Sequence, residues 1–309
     1  MIEKLGSLVS CRWLADHLGE DGLFVLDASR HLPAAQRDPL SEFEAGHIPS
    51  ARFFDLASLT DTSSSVPAAL PRPEQVAQRL AELGVGEGAK IVLYDDSALK
   101  SSARAWFSLT QCAVPHVAIL DGGMAKWRAE GRPIEINVKS REPVAPSTLK
   151  APIKVVTKAQ MLVNCGSREV QVLDARGADR VFGSGIDPVH GGQNGRIPGA
   201  LNLPFGKVFD SDGTYKSADD LRALFENAGV AMTQPLVMSC GSGVTASVLL
   251  FAAHLAGKDD VRLYDGSWQE WEADPETPKE QGPLEQGPLE QGRLKQVPVT
   301  TRPGKGESA

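Results

Sequence analysis

The chain has 309 residues, about the length of two domains, and a net charge of −7. Nucleic acid is not an expected partner, because phosphate contacts need a clustered basic surface. No apolar run reaches the roughly eighteen residues of a membrane span. Glu3, Lys4, Arg12 and Asp16 interrupt the apolar residues near the N-terminus, which argues against a signal peptide. We therefore expect a cytoplasmic protein that binds neither membrane nor nucleic acid.

Strands and helices are predicted to alternate along the first half of the chain. Apolar runs typical of buried strands occupy 23–27, 91–94 and 117–120, and helical patterns occupy 10–18, 73–83, 101–112 and 124–130. Ser10 is a suitable N-cap residue and Pro73 a suitable first helical residue. This alternation predicts an α/β fold with a mostly parallel sheet and helices on both faces.

The second half of the chain repeats the first. The phrases at 25–28, 46–49 and 121–127 recur in the same order at 172–175, 195–198 and 265–271. A tandem duplication follows, with predicted domains at 1–135 and 157–276. The Pro-, Lys- and Arg-rich segment 136–156 is predicted to be a linker, and the repetitive, low-complexity tail 277–309 is predicted to be disordered.

Four cysteines lie far apart in the sequence, at Cys11, Cys112, Cys165 and Cys240. Their spacing forms no C-x-x-C pair, so neither a metal site nor a disulfide framework is expected. The first three fall in predicted helices, where a free cysteine usually fills space in a core. Cys240 is the exception and needs a separate explanation.

Cys240 ends a predicted strand and begins a glycine-rich loop that leads into the apolar helix predicted at 244–255. Open α/β sheets bind ligands at the carboxyl ends of their strands. The N–H groups of such a loop and the helix dipole both favour an anion, here a thiolate. A buried cysteine without chemistry is the alternative, but core packing does not require Gly241 and Gly243. We therefore predict that Cys240 is a nucleophile.

The segment 240–245, Cys-Gly-Ser-Gly-Val-Thr, resembles the active-site loop of the 3-mercaptopyruvate sulfurtransferases, a branch of the rhodanese family. The phrase at 265–271 resembles the closing motif of that family, and the phrases at 53–55 and 70–73 resemble its first-domain signature. The resemblance covers about residues 8–275 and implies two rhodanese-like domains, the first of them inactive. Asp95 aligns with Cys240 in the duplication, so the first copy has no thiol there.

The resemblance also implies a mechanism. The Cys240 thiolate takes sulfur from 3-mercaptopyruvate as a persulfide, pyruvate leaves, and a thiol acceptor such as thioredoxin, or cyanide, receives the sulfur. No metal or organic cofactor is implied. Ser242 is the second catalytic residue that the resemblance implies, and Arg180 is expected to bind the carboxylate of the donor. The substrate-binding loop residues implied are Gly241, Gly243, Val244 and Thr245. The alternative role for Arg180 is an ion pair with Asp179 or Asp187, without contact to the donor.

Several positions depart from the family pattern. Val189, with His190 beside it, stands where a second substrate-binding arginine is usual. Arg196 replaces a histidine of the family pattern, and we favour a structural role for Arg196. Ala57 and Ala68 occupy the positions of the acid and the histidine in a proposed serine relay. Ser242 is then expected to act as a hydrogen-bond donor without assistance.

Three other functions compete with this hypothesis. A cysteine phosphatase needs Cys-x₅-Arg, and Ala246 excludes it. A thiosulfate:cyanide sulfurtransferase remains open, although the neutral Gly241 and Ser242 favour a mercapto acid over the thiosulfate dianion. A non-catalytic persulfide sensor or sulfur-carrier module also remains open, because of the departures from the family pattern.

Overall fold

A computed structural model describes residues 5–136, 142–150 and 154–282, which form two successive α/β domains. The strands of the first domain are β1 (Leu8–Val9), β2 (Leu23–Asp27), β3 (Arg52–Phe53), β4 (Lys90–Tyr94) and β5 (Val117–Leu120). Its helices are α1 (Cys11–His17), α2 (Pro39–Ala45), α3 (Pro73–Glu82), α4 (Ser102–Gln111) and α5 (Gly123–Ala129).

The second domain repeats this order of elements. Its strands are β6 (Val155–Val156), β7 (Gln171–Asp174), β8 (Leu201–Asn202), β9 (Leu236–Ser239) and β10 (Val261–Tyr264). Its helices are α6 (Lys158–Ser167), α7 (Ala178–Phe182), α8 (Ala218–Asn227), α9 (Val244–Leu255) and α10 (Ser267–Ala273).

Both sheets have the same strand order, and every strand pair in them is parallel. The order is β1-β5-β4-β2-β3 in the first sheet and β6-β10-β9-β7-β8 in the second. Equivalent strands therefore occupy equivalent places, as the predicted duplication requires. The arrangement puts β4 and β9 at the centre of their sheets, and each is followed by a loop at the carboxyl edge.

Helices cover both faces of the first sheet, because successive residues of a buried strand point to opposite sides. Ile91 packs in a core that contains Phe107 of α4, whereas the next residue, Val92, packs in a second core that contains Trp127 of α5. This is the α/β architecture predicted from the alternating pattern. No helix in the described part of the chain is both long and apolar enough to span a bilayer.

The two domains share a core through α4 and α9. Helix α9 is apolar around most of its circumference, with nine of its twelve residues buried, as expected for a helix that packs on several sides. Trp106 of α4 meets Phe251 of α9 edge to face, with ring centroids 4.8 Å apart, and such a pair contributes about 0.5 to 1.5 kcal/mol beyond burial. One cluster of buried residues consequently runs through both domains.

The domain boundaries differ from the sequence prediction at two places. The predicted linker, 136–156, ends in β6, which pairs with β10 as an edge strand of the second sheet. The predicted tail begins at 277, but residues 277–282 still pack on the second domain, where Glu280 and Arg196 exchange two backbone hydrogen bonds. Short edge strands carry too few residues to give a periodic signal in the sequence. The disorder predicted for 283–309 lies outside the described residues.

One buried aspartate differs in its environment between the two copies. Asp174 ends β7 and pairs with Arg176, with Nη2 and Oδ2 2.7 Å apart. Asp27 ends β2 at the equivalent position, but serine stands two residues later, and the N–H of Ser29 donates to Asp27 Oδ1 at 2.9 Å. Burial, with a smaller effect of the Asp95 charge, raises the pKa of Asp27 to about 6.

We expect Asp27→Asn to stabilise the protein at neutral pH by about 1 to 3 kcal/mol. Native Asp27 keeps a proton that the unfolded chain releases between its ordinary pKa of 3.8 and about 6. Stability of the wild type therefore falls as pH rises through this window, whereas asparagine does not titrate. Urea unfolding of both proteins at several pH values measures the difference, which should vanish in acid. Exposed Asp16→Asn is the control, and equal free energies of unfolding at neutral pH would contradict the prediction.

Candidate active site

The Cys240 loop joins the central strand β9 to α9 and is held against the start of α10. The N–H of Cys240 donates to Ser267 Oγ at 3.1 Å, and its carbonyl oxygen accepts from Trp268 N at 2.9 Å. Gly241 O accepts from Gln269 N at 2.9 Å. The Asp-Gly-Ser-Trp phrase at the end of the second copy therefore fixes the backbone of this loop.

Both glycines of the loop are required by what surrounds them. Gly243 has φ +78°, and a Cβ there would lie 2.9 Å from Arg104 Nη1 and from two oxygens of Asp265. A Cβ at Gly241 would overlap the imidazole of His190 and lie 3.3 Å from Arg180 Nη2. The sequence indicated a glycine-rich loop at Cys240. The structure adds the side chains that pack against its glycines, namely those of Arg104, Asp265, Arg180 and His190.

The loop keeps backbone donors that no protein group uses. Across the described residues, the N–H groups of Gly241, Ser242 and Gly243 have no hydrogen-bond acceptor. The side chains of Ser242 and Thr245 are half-buried, whereas Val244 is buried. Unpaired N–H groups at the start of a long helix favour an anion.

Three arginine–aspartate pairs flank the loop. Their closest nitrogen–oxygen distances are each 2.7 Å, and the pairs are Arg104–Asp265, Arg176–Asp174 and Arg180–Asp187. Burial acts to lower the pKa of Arg176, but Asp174, Asp187 and Cys240 together outweigh burial and raise it. Arg176 is fully buried and its Nη1 has no hydrogen-bond partner within the described structure. Positive charge therefore lies close to the Cys240 sulfur.

The sequence did not identify Arg104 and Arg176 as parts of the site. Arg104 comes from α4 of the first domain and donates to the carbonyl oxygens of Ala68 at 3.0 Å and Gly243 at 3.3 Å. Only the packing of α4 on α9 brings it there. The comparison of the two copies could have indicated Arg176. It lies two residues after Asp174, where the first copy has Ser29 two residues after Asp27.

Arg180 lies at the loop but is also part of an ion pair. Of the two partners considered from the sequence, Asp187 accepts from Arg180 Nε and Nη2, at 3.0 and 2.7 Å. Burial acts to raise the pKa of Asp187, but Arg180 and the N–H of Val189 outweigh it, so this pKa lies below its ordinary value. The side chain of Arg180 remains 16% exposed.

Residues that depart from the family pattern occupy three different environments. His190 lies over Gly241, while Val189 is partly exposed on the same turn. Arg196 is buried, stacks on Phe182 at 5.1 Å and pairs with Glu280, which agrees with the structural role favoured for it. Ala68 contributes its carbonyl oxygen to Arg104, and Ala57 lies in an exposed turn.

The Cys240 side chain is buried, with 1% of its surface exposed. A ligand site was expected where β9 ends, and the loop does lie there, at the junction with the first domain, but the thiol itself is covered. The other thiols are held protonated. Burial raises the pKa of Cys11 and of Cys112 to about 11, and it also raises the pKa of Cys165. Cys11 and Cys165 lie in α1 and α6, whereas Cys112 comes just after α4.

A family model for the rhodanese-like domain matches residues 10–130 and, a second time, residues 157–274. Two matches over most of the chain, on two parallel sheets of the same strand order, define a tandem-domain protein. The chain belongs to the rhodanese family. This confirms the resemblance found in the sequence.

The relatives are named as sulfurtransferases. The 3-mercaptopyruvate sulfurtransferase of Escherichia coli K12 is 37% identical over 273 residues, which cover 88% of this chain and 97% of the relative. The thiosulfate sulfurtransferase of Cricetulus griseus is also 37% identical, over 89% of this chain and 96% of the relative. The crystal structure of SseA, a 3-mercaptopyruvate sulfurtransferase from Escherichia coli, superposes with a TM-score of 0.77 at 36% identity and covers 85% of this chain and 98% of that one. These matches support an enzyme of this kind.

Proposed function

We propose that the protein transfers sulfur from 3-mercaptopyruvate to an acceptor thiol, with Cys240 as its nucleophile. The Cys240 thiolate attacks the donor sulfur, the bond from that sulfur to carbon breaks, and the carbon takes a proton to give pyruvate. Cys240 then carries a persulfide. An acceptor thiolate attacks the outer sulfur and regenerates the Cys240 thiolate.

One observation carries this proposal: Cys240 lies in a loop with unpaired N–H groups, and the buried Arg176 guanidinium is near. Both the thiolate and the persulfide are anions. Preorganised N–H donors stabilise such an anion by on the order of a few kcal/mol each. The three other thiols have raised pKa values and are therefore poorly suited to act as nucleophiles.

The donor is expected to enter over Gly241. The Arg180 and His190 side chains lie there and are only partly exposed, so both must shift to admit it. Arg180 can offer its free edge to the donor carboxylate while Asp187 holds the other edge. The relative from Cricetulus griseus is named a thiosulfate sulfurtransferase, so thiosulfate is the second donor to test. The neutral Gly241 and Ser242 favour the monoanionic mercapto acid.

Intact-protein mass spectrometry after exposure to 3-mercaptopyruvate tests the proposal directly. One added sulfur on the wild type, none on Cys240→Ala, and pyruvate release well above that variant are the expected results. Parallel assays with thiosulfate rank the two donors. A persulfide that forms without turnover would instead indicate a sulfur sensor or carrier.

Arg180→Lys is expected to lower kcat/KM for 3-mercaptopyruvate, by a loss of transition-state stabilisation of about 1 to 3 kcal/mol. Lysine has no planar fork with which to hold both Asp187 and the donor carboxylate. Steady-state kinetics measure the change. Arg128→Lys, a partly exposed arginine of the first domain, is the control. An unchanged kcat/KM would mean that the carboxylate binds elsewhere.

Two further expectations stay predictions. Thioredoxin is a suitable acceptor because it presents a reactive thiol, and a cytoplasmic location remains the second expectation. Coupled assays with reduced thioredoxin, compared with cyanide and with glutathione, test the first expectation.

A further inference from the structure

Among the described side chains at the Cys240 loop, His190 is a titratable group whose task is not yet explained. Its imidazole lies against Gly241. Throughout the described structure, neither ring nitrogen of His190 has a hydrogen-bond partner. A half-buried imidazole with both nitrogens unused, against the loop that carries Cys240, is available to bind and release protons.

A short turn fixes the position of His190. The N–H groups of Val189 and His190 donate to Asp187 Oδ1 at 2.8 and 3.3 Å, and Gly191 N donates to Asp187 O at 2.9 Å. Asp187 is in turn held by Arg180, and Arg176 Nη1 lies 3.6 Å from its carboxylate. The arginines that flank the loop therefore also orient the turn that carries His190.

The other groups around the loop are poorly suited to proton transfer. The arginines stay protonated, and each neighbouring aspartate is paired with one of them. Ser242 and Thr245 carry hydroxyls that do not ionise near neutrality. Ala57 and Ala68, aligned with the relay positions, provide no acid or base.

We propose that His190 transfers the proton that sulfur transfer from 3-mercaptopyruvate requires, an inference that rests on the proposed function. As the S–S bond forms and the S–C bond breaks, the electron pair of the S–C bond passes to the donor carbon. Neutral His190 takes the thiol proton of the donor and returns it to that carbon. The products are pyruvate and the Cys240 persulfide anion, and His190 ends in the state in which it began.

The surroundings of His190 favour the neutral ring that this step needs. Burial lowers the pKa of His190 and the charge of Arg180 lowers it further, Asp187 acts in the opposite direction, and Arg176 adds a smaller lowering. The rate of the wild type should consequently fall as pH drops through a value below the ordinary 6.5.

Two sulfur donors separate this role from a merely structural one. 3-Mercaptopyruvate leaves a carbanion that must be protonated, whereas glutathione persulfide leaves a thiolate that needs no proton. Single-turnover persulfide formation, followed by intact mass, is measured with both donors on the wild type, His190→Gln and His190→Asn. Remote His17→Gln is the control, and thermal unfolding reports whether each variant is folded.

The expected result is a loss of about 100-fold with 3-mercaptopyruvate for both His190 variants, together with loss of the acid limb of the pH profile, while glutathione persulfide reacts as with the wild type. Equal slowing with both donors, or no slowing, would overturn the role of His190. If wild-type Cys240 gains sulfur from neither donor, the proposed function itself fails, and this inference fails with it.

Discussion

Cys240→Ser is expected to abolish persulfide formation and pyruvate release, the largest effect of any single change considered. Serine is close to cysteine in size but cannot supply a thiolate at neutral pH. The other thiols cannot replace it. Cys11 and Cys112 have pKa values raised to about 11 by burial and lie in the cores of the first domain.

Cys11→Ala, Cys112→Ala and Cys165→Ser provide the matched set for this prediction. Each should keep sulfur transfer near the wild-type rate, even where loss of a buried sulfur lowers the melting temperature. Mass spectrometry of a proteolytic digest locates the added sulfur in every variant. Transfer that survives in Cys240→Ser, or that disappears in one of the other three variants while its fold is intact, would disprove the assignment.

Arg104→Met is expected to reduce stability by about 3 to 5 kcal/mol and to reduce sulfur transfer as well. Arg104 is buried and links Ala68 of its own domain to Gly243 and Asp265 of the second. Methionine fills much of the same space but leaves the Asp265 carboxylate with the N–H of Leu70 as its one close donor among the described residues. A buried charge without its partner is costly, and here it also lies beside the Cys240 loop.

Arg72→Met is the control, because Arg72 pairs with Asp61 at the surface with half of its side chain exposed. A surface pair of this kind contributes about 1 kcal/mol or less. Urea unfolding gives the free energies, and persulfide formation measured well below the unfolding midpoint gives the rate. If Arg104→Met is as stable and as active as Arg72→Met, then Arg104 neither joins the domains nor supports the loop.

The two copies show how one fold carries the proposed reactive site in one domain and not in the other. Asp95 follows β4 as Cys240 follows β9, but its carboxylate accepts from the N–H groups of Ser97 and Ser102 at 3.0 and 2.9 Å. The first domain therefore fills its own anion site with a side chain. In the second domain the corresponding loop leaves N–H groups free. The first domain contributes Arg104 and the backbone around residue 68 instead.

Some of the site could be predicted from the sequence and some could not. The position of Cys240 between β9 and α9, and the need for glycine on either side of Ser242, follow from local pattern and were expected. The partner of Arg180 was narrowed to two aspartates and required the structure to choose Asp187. His190 was noted only as the neighbour of a missing arginine, because nothing in a sequence shows that the turn begun by Asp187 folds back over Gly241.

By itself the sequence determined the duplication, the parallel α/β architecture and the identity of the candidate nucleophile. These depend on periodicity and on short-range turn chemistry, which act between residues close together in the chain. Tertiary structure alone decided that Arg104 reaches the loop, that the thiol is covered, and that His190 and Arg180 lie against Gly241. Those contacts join segments distant in sequence, and they form only when α4 packs on α9 and ion pairs hidden from solvent fix the side chains.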